Sequence, residues 1–134
     1  MDPGFIVSWE LFSYSVMDNF GDFIRNKCLD FSVDIVNTYK SLCENKKEYV
    51  LSKQLLRSGT SIGANLVEAQ NAISHKEFLA KVYISLKECA ETSYWLELLF
   101  RTNYLSQTEF DKINNGCQEL NRILNSITKT AKSN

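Results

Sequence analysis

Apolar residues in this chain recur every three or four positions, in four stretches parted by short polar breaks. That spacing is the mark of amphipathic helices. In the first stretch Ile24, Cys28, Phe31, Ile35 and Leu42 share one face, while Asp30, Asp34 and Lys40 fall elsewhere. It predicts a helix from Asn19 or Phe23 to Cys43, followed by the polar turn Glu44-Asn45-Lys46-Lys47. The second helix is predicted from Lys47 to Ala72, with a seam at Leu51, Leu55, Ser58, Ile62, Asn65 and Ala69. This alternation of fours and threes belongs to a coiled-coil-like bundle. Ser58 and Asn65 make the seam partly polar, and Gly59 and Gly63 each weaken a helix by about 1 kcal/mol relative to Ala. Glycines at such places are expected where a neighbour must approach closely.

Ser74 and Glu77 form the pattern S-x-x-E, a capping box that starts a third helix. Its core stripe is Phe78, Val82, Ser85, Cys89, Thr92, Leu96 and Leu99. A second stripe, about 100° round the helix, carries Ile84, Glu88, Glu91, Trp95 and Leu98. The third helix is therefore expected to be buried on two sides, and self-association is one explanation. Ser106 and Glu109 repeat the capping box before a fourth helix. Phe110, Ile113, Cys117, Leu120, Leu124, Ile127 and Ala131 form its heptad stripe, and the polar tail Lys129 to Asn134 is expected to fray. Short connections imply an up-down-up-down order. The expected fold class is all-α, an up-and-down four-helix bundle.

Composition agrees with this reading. A 134-residue chain with 44% hydrophobic residues can bury a core as one domain. One Pro and five Gly are few for a protein of sheets and turns. Residues 1 to 16 stand apart: Phe5, Ile6, Val7, Trp9, Leu11 and Phe12 are apolar, with neither a basic leader nor a clear cleavage site. Met17 opens Met-Asp-Asn-Phe-Gly-Asp, which reads as a natural start. We expect residues 1–18 to be a poorly ordered upstream extension and residues 19–134 to be the bundle domain. No apolar run reaches the length of a membrane span, so a cytoplasmic location is expected. The four cysteines, Cys28, Cys43, Cys89 and Cys117, form no C-x-x-C pair, and three fall on apolar helix positions. They read as reduced thiols of a cytosolic protein.

Chemical motifs are scarce. His75 is the only histidine and stands at the turn between the second and third helices, so a transition-metal site or a Cys-His or Ser-His nucleophile is not expected. Gly59 and Gly63 are not a phosphate loop, for no lysine-serine follows and no strand precedes. Glu88, Glu91 and Glu68 lack the Glu-x-x-His pairing of di-metal bundles. No catalytic residue, metal or cofactor is expected. Charge is nearly balanced, at a formal −1. From Leu51 onward there are ten Lys or Arg against eight Asp or Glu, whereas residues 1–50 carry five against eight. A basic patch is allowed by this distribution but not required by it.

The polar seam gives a sharper expectation. If the turn centres near Ser74, the second and third helices pair antiparallel with residue numbers summing to about 148. Arg57 then lies level with Glu91, Glu68 with Ala80 and Lys81, Ser61 near Lys87, and Asn65 near Tyr83. Partly buried charges must be paired. We therefore expect ion pairs from Arg57 to Glu91 or Glu88 and from Lys81 to Glu68. The wider candidate network is Gln54, Arg57, Ser58, Ser61, Asn65, Glu68, Lys81, Lys87, Glu88, Glu91 and Trp95. It serves either to set helix register and partner choice or to line a ligand site.

The run from Gln54 to Ala69, with Arg57-Ser58-x-Thr60-Ser61-Ile62-x-Ala64-Asn65 at its centre, carries a resemblance. So do Phe78, Lys81 and the run Leu86-Lys87-Glu88-Cys89-Ala90-Glu91-Thr92-Ser93-Tyr94-Trp95-Leu96. Over about Lys27 to Lys129 the chain resembles the four-helix bundle family encoded in intervening sequences of bacterial 23S rRNA genes. That family is related to the accessory variability determinant of diversity-generating retroelements. The resemblance implies a ring assembly, a homopentamer, which would account for a doubly buried third helix. The retroelement branch is strongly basic and binds nucleic acid and a reverse transcriptase; this chain departs from it in its net charge of −1. For the intervening-sequence branch the resemblance implies genomic association with ribosomal RNA and no activity. Two functions follow as expectations. One is a non-enzymatic oligomeric scaffold that binds RNA or a nucleic-acid-processing protein. The other is a small-ligand binder or enzyme using Arg57, Glu88, Glu91 and Trp95 in a cleft.

Overall fold

Among residues 19–132, which the computed structural model describes, the chain forms four helices and no strand. They are α1 (Asn19–Lys46), α2 (Leu51–Gln70), α3 (His75–Arg101) and α4 (Gln107–Lys132). The expected extension over residues 1–18 lies outside the described residues.

α2, α3 and α4 begin where their capping chemistry allows. Ser74 is extended and its Oγ accepts the Glu77 amide at 3.0 Å, while the Glu77 carboxylate accepts the Ile73 amide at 3.1 Å. Ser106 and Glu109 exchange both bonds of their box, at 3.1 and 2.9 Å. The start of α2 differs from expectation. It begins at Leu51 instead of Lys47, because Lys47 takes a left-handed φ of 56° and ends the turn after α1. The buried Glu48 carboxylate then caps α2, a device that is absent from the usual list of N-cap residues. α1 continues to Lys46, absorbing most of the polar turn, and α4 continues through the tail expected to fray, to Lys132.

The helices pack in sequence, α1 on α2, α2 on α3 and α3 on α4, with α4 closing more loosely on α1. The core stripes of α1, α3 and α4 lie where their periodicities put them: Ile24, Cys28, Phe31, Ile35 and Leu42; Phe78, Val82, Ser85, Cys89, Thr92, Leu96 and Leu99; Ile113, Cys117, Leu120, Leu124, Ile127 and Ala131. Phe110 is an exception, half-buried and stacked on Phe100.

The buried arc of α2 is wider than the expected seam, of which Leu55, Ser58, Ile62 and Ala69 are buried. Ser52, Leu55, Ser58, Gly59, Ile62, Leu66 and Ala69 are buried, whereas Leu51 and Asn65 are only half-buried. α2 is flanked by two helices at once, so its buried arc is wider than a two-helix seam. Gly59 and Gly63 meet α1, where added β-carbons would come within 2.8 Å of Ile35 and 3.0 Å of Cys28. Ser58 faces α3. The second stripe of α3 is likewise not buried within one chain: Glu88, Glu91, Trp95 and Leu98 are half-buried and Ile84 is exposed. No described helix is long and apolar enough to cross a membrane.

Candidate functional site

The α2–α3 interface gathers part of the predicted polar network into one cluster. Arg57 stands on α2 and Glu88, Glu91 and Trp95 on successive turns of α3. The guanidinium is paired with Glu91 and reaches Glu88 Oε2 at 3.5 Å. The Trp95 indole N–H donates to the same Glu91 oxygen at 2.9 Å. One carboxylate thus joins both helices and fixes a tryptophan ring. Further along, Lys81 Nζ stands 3.6 Å from Glu68 Oε1. The antiparallel register expected from the turn at Ser74 is the one observed.

Deeper in the interface the polar atoms are hydroxyls. Ser58 and Thr92, both fully buried, bring their oxygens to 3.0 Å, and Thr92 donates to the Glu88 carbonyl at 2.7 Å. Ser85 donates across the helices to the Ile62 carbonyl at 2.7 Å. A buried hydroxyl without a partner costs about 1–3 kcal/mol, so each is placed where a carbonyl or another hydroxyl meets it. Ser85 and Thr92 belong to this network although their core spacing suggested only packing. Their signal was chemical, two hydroxyls in an otherwise apolar stripe.

The other candidates do not join. Ser61 donates to the Arg57 carbonyl at 2.6 Å and Asn65 to the Ser61 carbonyl at 2.8 Å, both within α2. The expected meetings of Ser61 with Lys87 and of Asn65 with Tyr83 are therefore replaced by bonds along the helix, the local competition natural to Ser and Asn. Gln54 and Lys87 are exposed at the surface. A pair not foreseen, Lys27 with Glu119, ties α1 to α4 on the opposite side.

Electrostatically the Arg57 cluster is closed. Arg57 is 51% exposed, Glu91 36% and Glu88 18%, so two carboxylates share one cation at the rim of the interface. Exposed pairs contribute about 0–1 kcal/mol. Arg57→Ala should therefore lower stability by about 1 kcal/mol, part of it from leaving Glu88 and Glu91 unneutralised three residues apart. Urea unfolding in low and in high salt would check this. A loss that persists unchanged at high salt would mean that the arginine acts through packing instead of charge.

An apolar groove lies elsewhere on the fold. A hollow of about 420 Å³ runs between α1 and α2, lined by Cys28, Leu29, Gly63, Ala64 and Val67. Arg57, Glu88, Glu91 and Trp95 do not line it. Burial raises the Cys28 thiol to about 12, so at neutral pH it is a core group and not a nucleophile. Cys117 likewise spends its proton on the Cys89 carbonyl at 3.4 Å. Among the described residues no group of three or more His, Cys, Asp or Glu is placed to hold a metal ion.

Known proteins bear on this geometry. One solved structure is a protein of unknown function from the S23 ribosomal protein family of Bacteroides thetaiotaomicron VPI-5482. It is 53% identical, covers 79% of this chain and 98% of its own length, and superposes with a TM-score of 0.78. No curated protein matches the chain. Residues 23–126 match the model of the 23S rRNA-intervening sequence proteins. That span includes all of α2 and α3, the Arg57 cluster and the buried hydroxyls. The chain belongs to the 23S rRNA-intervening sequence protein family.

Proposed function

We propose that this protein is a non-enzymatic scaffold, a ring of identical bundles in the cytoplasm, that binds RNA. The observation that carries the reading is the family match over residues 23–126, since members of that family are encoded within intervening sequences of 23S rRNA genes. The geometry of the polar network supports the non-enzymatic part. Arg57 spends its charge on Glu88 and Glu91, and Ser58, Ser85 and Thr92 spend their hydroxyls on each other and on backbone carbonyls. A catalytic or ligand site keeps such groups turned toward a substrate. Here they hold two helices in register.

Self-association is supported by apolar side chains left at the surface of one chain. Phe23, Leu29 and Val33 on α1 are each about half exposed, and the Ile84 stripe of α3 is incompletely covered. Such patches mark contact surfaces. A homopentamer is the state proposed, from the family resemblance.

Two measurements test the proposal. Light scattering on the purified chain should give five times its 15.4 kDa mass. Anisotropy with labelled intervening-sequence RNA, repeated across a potassium chloride series, should show affinity falling steeply with salt, as phosphate contacts require. A monomeric mass would overturn the ring. An absence of binding even at low salt would overturn the RNA role.

A further inference from the structure

We propose that the RNA contacts the outer face shared by the first half of α3 and the second half of α4, with Lys87, Arg122 and Lys129 on the phosphates and Tyr83 as a stacking surface. This rests on the RNA-binding reading above and gives it a location. The first observation is charge segregation within a chain whose net charge is −1. Residues 78–87 and 120–134 contain Lys81, Lys87, Arg122, Lys129 and Lys132 and not one Asp or Glu. The bundle brings these two segments side by side, because α3 and α4 are antiparallel neighbours. Ser93 meets Asn114 at 3.4 Å and Cys117 meets the Cys89 carbonyl, so residue numbers across the pair sum to about 206. Arg122 therefore stands level with the turn from Ile84 to Lys87, and Lys129 level with the start of α3. Arg122 and Lys129 are seven residues apart, two turns on one stripe of α4.

The second observation is where the nearby carboxylates go. Glu88 and Glu91 turn to α2 and are held by Arg57. Glu68 is held by Lys81, also on the α2 side. Glu119 turns to α1 and is held by Lys27. Every one of these acids is engaged on a face other than the α3–α4 one. Lys87, Arg122, Lys129 and Lys132 are exposed, and among the described residues none has an ion-pair partner. Cations left without counter-charge on one face attract a polyanion.

The third observation is aromatic. Tyr83 is 36% exposed in the middle of this face, and Lys132 Nζ lies 5.2 Å from its ring centroid. A partly open aromatic ring flanked by cations is a surface on which an unpaired base can stack while its phosphates are neutralised. A protein partner of acidic character would use the cations but not need the open ring, so RNA with unpaired bases fits better.

The test compares three full-length proteins on a fluorescein-labelled RNA stem-loop and on its fully paired duplex, in a potassium chloride series. They are the unaltered chain, Arg122→Glu/Lys129→Glu, and Lys40→Glu/Lys46→Glu, whose exposed lysines lie in the last turns of α1. Arg122→Glu/Lys129→Glu should weaken stem-loop binding about tenfold or more and lower the slope of log affinity on log salt by about 1.4–1.8. Lys40→Glu/Lys46→Glu should bind within about twofold of the unaltered chain. Tyr83→Ala leaves charge unchanged and should weaken the stem-loop about fivefold while sparing the duplex. If the unaltered chain binds and Arg122→Glu/Lys129→Glu binds equally well, or both double variants weaken alike, the location is overturned and the RNA reading stands. If the unaltered chain does not bind, both fall. Far-ultraviolet helicity must match across the proteins; should Arg122→Glu/Lys129→Glu lose it, Lys87→Glu on α3 answers the same question, and its unchanged binding would overturn the location.

Discussion

Gly59→Leu is expected to lower stability by about 3 kcal/mol or more, and the thermal midpoint by about 10 °C. A β-carbon on Gly59 would stand 2.8–2.9 Å from three side-chain atoms of Ile35. Contacts that short force a neighbour to move. Ile35 has nowhere to go, since it is fully buried and its branched β-carbon holds one χ1 well in a helix. The clash is therefore passed to the backbones of α1 and α2. Gly59→Ala separates two opposing effects. Alanine gains about 1 kcal/mol of helix propensity, and overpacking costs about 1–3 kcal/mol, so a net loss of about 0–2 kcal/mol is expected. Ile35→Ala alone should cost about 2–5 kcal/mol through the cavity it leaves. The pair Ile35→Ala/Gly59→Ala should lose less than the sum, because the new methyl enters space the old one vacated. A coupling of about 1–2 kcal/mol is the expected sign and size. Midpoints must be compared at one protein concentration, since self-association shifts them. Strict additivity would mean that α1 does not seat on Gly59.

This packing explains a feature of the sequence that composition leaves puzzling. Two glycines in a helix are a local cost, and the spacing four apart said only that some neighbour comes close. Which neighbour, and at what depth, depends on a contact with α1 residues more than twenty positions away. No local pattern carries that information. The same holds for the seam of α2. Its fours and threes were readable, but Leu51-Ser58-Asn65 and Ser52-Gly59-Leu66 are equally spaced alternatives offset by one residue. With helices on two sides, α2 buries all of the latter and Ser58 of the former. By contrast the core stripes of α1, α3 and α4 were legible but for Phe110, because few polar residues compete for their buried faces. The capping boxes at Ser74 and Ser106 were legible for a related reason, as both partners lie within four residues.

The candidate site divides in the same way. Arg57 with Glu91, and Lys81 with Glu68, could be written down once the turn at Ser74 set the register, because long opposite charges at one level find each other. Ser61 and Asn65 could not. Short polar side chains reach their own helix more easily than the next one, and both bond carbonyls four residues back. A basic patch was allowed by the sequence, but its place on the α3–α4 face was not legible, for a different reason. A summed charge hides it, and it emerges only when the three-dimensional pairing shows which carboxylates are already engaged elsewhere.

Glu48→Ala should cost about 2–3 kcal/mol at neutral pH, the largest effect expected from any side chain outside the apolar core. Glu48 is 8% exposed, and its carboxylate accepts the amides of Val50, Leu51 and Ser52 at 3.2, 2.9 and 2.7 Å. These are donors that the first turn of α2 leaves without helical partners, and the negative charge sits at the positive end of the helix dipole. The residue also closes the α1–α2 connection through its backbone. Its amide donates to Leu42, and its carbonyl accepts from Ser52 at 2.7 Å and Cys43 at 3.7 Å. Burial by itself would raise this carboxyl, but the bonds from Leu51, Ser52 and Val50 outweigh it and hold the group below the ordinary carboxylate range. The sign follows from linkage. A carboxyl depressed in the folded chain contributes its full stability above the unfolded value of about 4.3 and loses it as pH falls through the folded value. Glu48→Gln keeps the shape and one acceptor oxygen but removes the charge, so it mimics the protonated side chain. The stability gap between the unaltered protein and Glu48→Gln should therefore be widest near neutral pH and close as pH drops below about 4.3. Glu109, lowered mainly by the Ser106 amide, is present in both proteins and cancels from the difference. Chemical denaturation of the two proteins at a series of pH values reads that gap directly. A gap that stays constant from neutral to acid would mean the three amides are satisfied by shape and hydrogen bonding alone, with no contribution from the charge.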